Sequence, residues 1–424
     1  MSASEEAPVC PPIRRGWDDI YEGALDCVHC GLCLTSCPTY RATGRESSSP
    51  RGRIYLMRGI AEQRVPLGEL ARDEAHLCLG CRACETACPS GVQYGAMLER
   101  TREEVRLAGL REDWPARIER FLLRHLVPHR ARLGLAFDLL AFAQRLGLDR
   151  AVGAMLPPRL REAQALLPRV PSRAERRTPP TRIPAQGQQR GRVGFLRGCV
   201  MSEAFADINA ATLRVLARNG LEVVVPDDQG CCGALQAHAG DRDTAVALAR
   251  VNLGAFAEVD TVVTNSAGCG AALCDAGHWM PGEGEPLAKK SRDVCAVLDE
   301  VGLRPPDRRI EARVCYDDPC HLVHGQRVAD APRRLLAQIP GLRLTEHAEP
   351  TACCGAAGTY NLTQPEMSQA VLARKMDALA AADPDLIVTG NPGCLMQLRA
   401  GATARGLRAE VLHPVELLDR AYSR

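Results

Sequence analysis

The chain has 424 residues, long enough for two or three domains that each bury an apolar core. A formal net charge of +2 offers no global electrostatic reason to bind nucleic acid or an acidic substrate, so no nucleic-acid partner is expected and specificity is left to local sites. The unusual quantity is cysteine: there are 20, most of them in short clusters.

The first ten residues, MSASEEAPVC, are acidic and polar, and Arg14-Arg15 runs into Trp17, Asp18 and Asp19 rather than into an apolar leader. No export is expected. In a reducing compartment, clustered cysteines bind metal or do redox chemistry rather than build a disulfide framework. The best candidate membrane span, Leu133 to Leu148, is broken by Asp138 and Arg145 and falls short of the ~20 apolar residues a transmembrane helix needs. The expectation is a cytoplasmic chain with no transmembrane segment, able to lie against the cytoplasmic face of the inner membrane through a partner.

Residues 1–98 carry two cysteine runs. The first, CVHCGLCLTSCP, holds Cys27, Cys30, Cys33 and Cys37; the second, CLGCRACETACP, holds Cys78, Cys81, Cys84 and Cys88. Both have the bacterial ferredoxin spacing, in which three close cysteines ligate one [4Fe-4S] cluster and the fourth reaches the other. That spacing predicts one cluster on Cys27, Cys30, Cys33 and Cys88 and a second on Cys78, Cys81, Cys84 and Cys37. A cubane offers four iron corners that each take a soft thiolate, and three thiolates on a tight loop wrap one face. Pro38 and Pro89 end each turn, and the small residues Gly31, Gly80 and Ala83 let backbone amides approach the sulfides. Structural zinc commonly uses two distant Cys-x-x-Cys pairs, unlike three cysteines in seven residues. His29 reads as a solvent-facing neighbour of the cluster, since the four-cysteine set is complete without it. The long segment between the runs suits a mostly α-helical ferredoxin-like domain.

Residues 99–156 place Ile118, Leu122, Leu126, Leu135, Leu139 and Leu146 at helical spacing, which predicts a helical extension of amphipathic helices. Residues 157–192 are dense in Pro and Arg, including Pro157-Pro158 and Pro179-Pro180, and read as an interdomain linker with solvated arginines. Only three of the chain's 53 basic residues are Lys, so arginine richness is general rather than local.

From Val193 to Arg424 the sequence repeats. RVGFLRGC ending at Cys199 answers RVCYDDPC ending at Cys320; the Cys231-Cys232-Gly segment answers Cys353-Cys354-Gly; DTVVTNSAGC ending at Cys269 answers DLIVTGNPGC ending at Cys394. The offset stays between 121 and 125 residues, which predicts two tandem homologous domains over 193–305 and 306–424. β-Branched runs at Val223–Val225, Val262–Thr264 and Ile387–Thr389 alternate with Ala- and Leu-rich stretches, the pattern of α/β units on a parallel sheet. Each cysteine motif follows a predicted strand, at the carboxyl end where open α/β sheets gather their sites. Cys199, Cys231, Cys232 and Cys269, and likewise Cys320, Cys353, Cys354 and Cys394, could then converge as four thiols per repeat, the number a cubane requires. The sequence leaves open whether each repeat holds a further cluster, both share one, or the thiols are redox groups. Cys10, Cys274, Cys295 and Cys315 fall outside the pattern and read as structural. His238, His321 and His324 carry no assignment.

CVHCGLCLTSCPTY, PRGRIYLM, CLGCRACETACPSGV and the two Cys-Cys-Gly repeats, in this order and over nearly the whole chain, resemble the iron-sulfur subunit of bacterial glycolate oxidase, also called glycolate dehydrogenase. The resemblance implies a complex with two flavin-binding subunits that carry FAD and oxidise glycolate, and often lactate, to the 2-oxo acid. Electrons would leave the flavin through clusters on this chain toward a quinone or respiratory acceptor. The same building blocks occur in lactate-utilisation proteins, in the third subunit of anaerobic glycerol-3-phosphate dehydrogenase and in heterodisulfide reductase. Heterodisulfide reductase repeats end in Cys-x-x-Cys, whereas Ala272 and Gln397 stand three residues after Cys269 and Cys394, a departure that speaks against its noncubane clusters here.

The expected architecture is α+β and multidomain, a helical ferredoxin-like domain followed by two α/β cysteine-rich domains. The expected role is the electron-carrying part of an oxidoreductase acting on a CH-OH group, with no substrate site on this chain: no G-x-G-x-x-G follows a strand and no P-loop is present. The competing reading is an autonomous reductase whose Cys-Cys-Gly thiols act on a disulfide.

Overall fold

A computed structural model describes residues 16–149, 161 and 164–423. Cys10, the Arg14-Arg15 pair and the Pro157-Pro158 start of the linker lie outside the described residues. The chain divides into two compact units, Met1–Glu112 and Asp113–Arg424.

The described part of the first unit is helical and contains no strand. Proline sets several helix starts, because its missing N–H is one the first turn leaves unpaired anyway. Pro38 opens the helix Pro38–Thr43 with Cys37 as its N-cap residue. Pro50 opens Pro50–Ala61, where the Ser49 hydroxyl accepts from the Gly52 N–H at 3.0 Å. The helices Asp18–Leu25, Pro50–Ala61 and Tyr94–Leu107 pack together over Trp17, Ile20, Ile54, Met57, Met97 and Leu98. Tyr94–Leu107 runs straight through residue 98, where the sequence suggested a boundary, because Tyr94, Leu98, Thr101 and Val105 form one continuous buried face.

The described part of the second unit contains two sheets. Strands β1 (Arg182–Ile183), β2 (Gly191–Phe195), β3 (Leu221–Val224), β4 (Val262–Thr264) and β5 (Ser291–Asp293) are ordered β1-β3-β2-β4-β5. Strands β6 (Ala312–Tyr316), β7 (Leu342–Leu344), β8 (Leu386–Val388) and β9 (Glu410–Leu412) are ordered β7-β6-β8-β9. All neighbours are parallel except β1 with β3. Apart from β1 the two orders are the same, which is the sequence repeat expressed as topology. Both sheets share one apolar core that runs from Phe195, Val223 and Val263 through Val314, Ile387 and Leu395. At roughly 1.5–3 kcal/mol per large buried apolar side chain, that shared core binds the repeats into one folding unit.

Two features depart from the sequence reading. Part of the Pro/Arg-rich stretch is incorporated into the fold: β1 pairs with Val223 and Val224, and Arg176 is buried between Asp138 and Glu203, bonding the latter at 2.8 Å. Two carboxylates, not water, solvate that guanidinium. The helices Trp114–His125 and Arg130–Arg145 form as expected, yet Ile118, Leu122, Leu135, Leu139 and Leu146 stand exposed while Leu123, Leu133 and Ala141 turn inward. Polar ties choose that face: Arg124 makes a bidentate pair with Asp241 at 2.6 and 2.8 Å, and the Leu123 carbonyl accepts from Gln236 at 2.7 Å.

Candidate iron-sulfur centres

In each N-terminal run the backbone takes the same two left-handed turns. His29 and Gly31 have φ of 55° and 84°, and the matching Gly80 and Arg82 have 65° and 62°. The turn positions are thus equivalent between runs, although glycine fills a different one in each. Ala83, expected to act like the glycines, instead begins the helix Ala83–Thr86.

Cys27, Cys30, Cys33 and Cys88 line one solvent-open cleft, walled by Ile54, Val92 and Tyr94, and Cys84 of the second run reaches its edge. The second run thus contributes Cys84 and Cys88 to the cavity that the first run's cysteines line. Burial raises the Cys33 thiol, and the neighbouring Cys27 and Cys37 add to it. Cys30 is exposed, and His29 lies on the surface, edge-on to Tyr55 at 5.8 Å.

The other four are enclosed: Cys37, Cys78, Cys81 and Cys84 are 6, 8, 7 and 9% exposed. Burial pushes the Cys84 thiol well up, with Cys81, Cys78, Glu85 and Cys37 adding to it, so these sulfurs lie within one another's field. Gathering four buried thiols is costly unless a cation compensates their ionised forms. Positive charge and donors are already arranged there. The Gly80 N–H points at the Cys78 sulfur at 3.4 Å, and Arg102 donates to the Cys78 carbonyl at 2.6 Å. Arg53, almost fully buried, bonds Thr39 at 3.1 Å and the Glu74 carboxylate at 3.3 Å. Burial opposes its charge, but Cys78, Tyr94, Cys37 and Glu74 hold its pKa above the ordinary arginine value. Sequence reasoning missed these groups. Arg53 had a legible signal, since it lies in helical phase with Met57 and Ile60 on a buried face; Arg102 and Tyr94 are placed by packing alone.

Among the described residues, no three Cys, His, Asp or Glu side chains converge as a single metal ion would need. The ligands of a cubane reach four different irons and need not meet at one point. The donor set at both quartets, four thiols against an apolar wall with nearby amides and cations, fits a [4Fe-4S] group.

The repeats also bring their cysteines together. In the first, the sulfurs of Cys199 and Cys231 are 3.4 Å apart, and Cys232 bonds both Cys231 and Cys269. Hydrogen bonds with Cys199 and Cys232 lower the Cys231 thiol, against the effect of burial. In the second, the sulfurs of Cys354 and Cys394 are 3.1 Å apart and Cys320 bonds Cys353. Both separations exceed the ~2.05 Å of a disulfide. The two cysteine-bearing loops touch: the Asn391 side chain accepts from the Gly268 N–H at 3.1 Å, and the Gly390 carbonyl accepts from the Ala267 N–H at 3.1 Å. His238 and His321 meet edge-on at 5.1 Å between the repeats, and His324 contacts the Thr351 carbonyl at 3.3 Å. Of the cysteines outside the quartets, Cys295 and Cys315 are buried in the core and Cys274 is half-buried.

The glycine of each Cys-Cys-Gly is explained by backbone approach. Gly233 and Gly355 are left-handed, at φ of 84° and 92°, and a Cβ would stand 3.2 Å from the Ala245 Cα or 2.6 Å from the Ser368 carbonyl oxygen. Gly355→Ala is expected to cost about 2–4 kcal/mol from left-handed strain plus overpacking, and Gly233→Ala less, as chemical denaturation of the two variants would measure.

The repeats differ in charge. Buried positions Ala245, Ala249 and Asn252 on the helix Arg242–Ala255 and Phe256 at its C-cap have the same spacing as Ser368, Leu372, Lys375 and Leu379 on Pro365–Ala382. Where the first repeat has neutral Asn252, bonded to the Gly230 N–H and the Cys231 carbonyl, the second has the Lys375 ammonium, paired with Asp317 at 2.5 Å. Leu196 stands at the place of Asp317.

Comparison with known proteins agrees with this anatomy. Residues 23–92 match a 4Fe-4S dicluster domain, residues 193–274 and 314–399 a cysteine-rich domain, and residues 114–167 the linker region of the glycolate oxidase iron-sulfur subunit. The chain is 39% identical to the probable glycolate oxidase iron-sulfur subunit of Bacillus subtilis (strain 168), over 94% of each chain. It is 33% identical to the glycolate oxidase iron-sulfur subunit of Escherichia coli (strain K12), over 93% of each. It is 29% identical to a lactate utilization protein of Oceanobacillus iheyensis, over 54% of this chain and 96% of that one. Two cysteine quartets in a helical unit, followed by two cysteine-rich α/β repeats across a matching linker, are thus reproduced over whole-length relatives: the chain belongs to the family of glycolate oxidase iron-sulfur subunits.

Proposed function

We propose that this chain is the electron-carrying subunit of a flavin-dependent 2-hydroxy-acid dehydrogenase complex, with glycolate as substrate and glyoxylate as product. The observation that carries the reading is the first cleft, where cysteines from both runs line one cavity. Cys27, Cys30, Cys33 and Cys88 would hold one [4Fe-4S] cluster, and Cys78, Cys81, Cys84 and Cys37 a second. Bound there, the clusters would supply one-electron transfer.

The chain's own residues set the path. The exposed Cys30 edge opens the first site to a docking partner, while burial excludes water from the second. FAD would reside on partner subunits, with a quinone or respiratory acceptor downstream. Among the described residues no helix is long and apolar enough to cross a membrane, and a cytoplasmic chain attached peripherally through its partners accords with that. The repeat quartets would be further cluster sites on the same path.

Iron and acid-labile sulfide per chain on anaerobically purified protein, with electron paramagnetic resonance after dithionite reduction, test this reading. About eight irons supports the N-terminal pair, and about twelve or more places clusters in the repeats as well. Colourless, iron-free protein with thiols that turn over a disulfide would replace the reading with the autonomous reductase.

A further inference from the structure

Tyr94 touches both N-terminal quartets. It lines the cleft that Cys27, Cys30, Cys33 and Cys88 share with Cys84, while its hydroxyl lies against Cys78 of the enclosed set. It is 3% exposed, at the first position of the helix Tyr94–Leu107, which fixes its direction. The hydroxyl has no hydrogen-bond partner of ordinary geometry. Leaving such a buried group unsatisfied costs about 1–3 kcal/mol, so a core tyrosine with no task would be better replaced by phenylalanine. The acceptor in front of it is sulfur, and a metal-bound thiolate accepts a hydrogen bond more strongly than a neutral thiol. Cys78 is also where the Gly80 N–H and the Arg102 guanidinium arrive.

We propose that Tyr94 is a positioning residue of the enclosed centre, donating its hydroxyl hydrogen to the Cys78 sulfur and thereby raising the reduction potential of the cluster held there. The inference rests on the reading that both quartets hold clusters. Each reduction adds one electron, whose charge spreads onto the ligand sulfurs; a donor aimed at one of those sulfurs stabilises the reduced form more than the oxidised form. The ring would fill the space between the two sites in any case, but only the hydroxyl changes the potential, and it acts on one cluster rather than both.

The test is Tyr94→Phe in the full-length chain, which keeps the ring and its packing. Dithionite titration followed by electron paramagnetic resonance is expected to show unchanged iron and sulfide, one midpoint potential lowered and the other unmoved. The lowered signal should be the one that Cys81→Ser abolishes. Two unmoved midpoints, a shift confined to the signal that Cys30→Ser abolishes, or loss of iron from the Phe variant would each overturn the role assigned to Tyr94 while leaving the cluster reading intact. An unsubstituted chain without iron would overturn both.

Discussion

Cys30→Ser is expected to remove one of two paramagnetic signals, to lower iron by about four per chain, and to abolish electron delivery to an external acceptor. Flavin reduction by substrate in the assembled complex should survive, because the organic chemistry belongs to the partner. Cys30 is exposed, so the substitution leaves the packing of the unit undisturbed and loss of signal reports ligation rather than misfolding. The same assay resolves the crosswise assignment. Cys88 closes the second run in sequence but lines the first run's cleft. Cys88→Ser should therefore abolish the same signal as Cys30→Ser, and Cys37→Ser the same signal as Cys81→Ser. A loss that follows sequence order instead, with Cys88 grouped with Cys78 to Cys84, would sink the crosswise pairing; loss of flavin reduction in Cys30→Ser would sink the division of labour.

Lys375→Met is expected to be the most destabilising substitution near the repeat quartets. The ammonium is 1% exposed and is held by Asp317 at 2.5 Å and by the Glu349 and Pro350 carbonyls at 2.5 and 3.2 Å. Removing one partner of a buried pair typically costs about 3–5 kcal/mol, because the other charge remains buried. Burial already raises Asp317 to about 6, against the pull of Lys375. Without that pull the folded-state pKa rises further, while the unfolded value stays near the ordinary one. A folded acid with a raised pKa loses stability as pH climbs from the unfolded pKa through the folded one. The variant's deficit should accordingly be large at pH 8 and shrink toward pH 5, as urea midpoints at the two values would show. Lys375→Asn combined with Asp317→Leu copies the first repeat, with its Asn252 and Leu196, and should recover most of the loss. A single variant as stable as the parent at pH 8 would show that the pair contributes nothing.

The sequence alone determined the identity and order of the parts. Cysteine spacing in CVHCGLC and CLGCRAC is read within a few residues, and a loop that short positions three thiols by local backbone geometry. The repeat, too, was legible, because homologous domains keep their residue order whatever they pack against, and Val262–Thr264 forms β4 as its β-branched run predicts. Tertiary structure decided what depends on distant partners. Cys88 reaches the first cleft only because the helices between the runs fold back on themselves. Arg53 and Arg102 become fixed charges beside Cys78 only because the core closes over them. The pairing of Arg176 with two carboxylates turned part of an apparent linker into a packed segment, and polar ties to Asp241 and Gln236 turned the expected apolar stripe of Trp114–His125 outward. Asn252 and Lys375 occupy one helix position in two repeats, yet one is neutral and the other is a buried cation whose cost is offset by Asp317 and the Glu349 and Pro350 carbonyls, all distant in sequence. Periodicity records which face of an element is apolar, but burial and charge compensation depend on contacts far apart in the chain, and those exist only once the chain has folded.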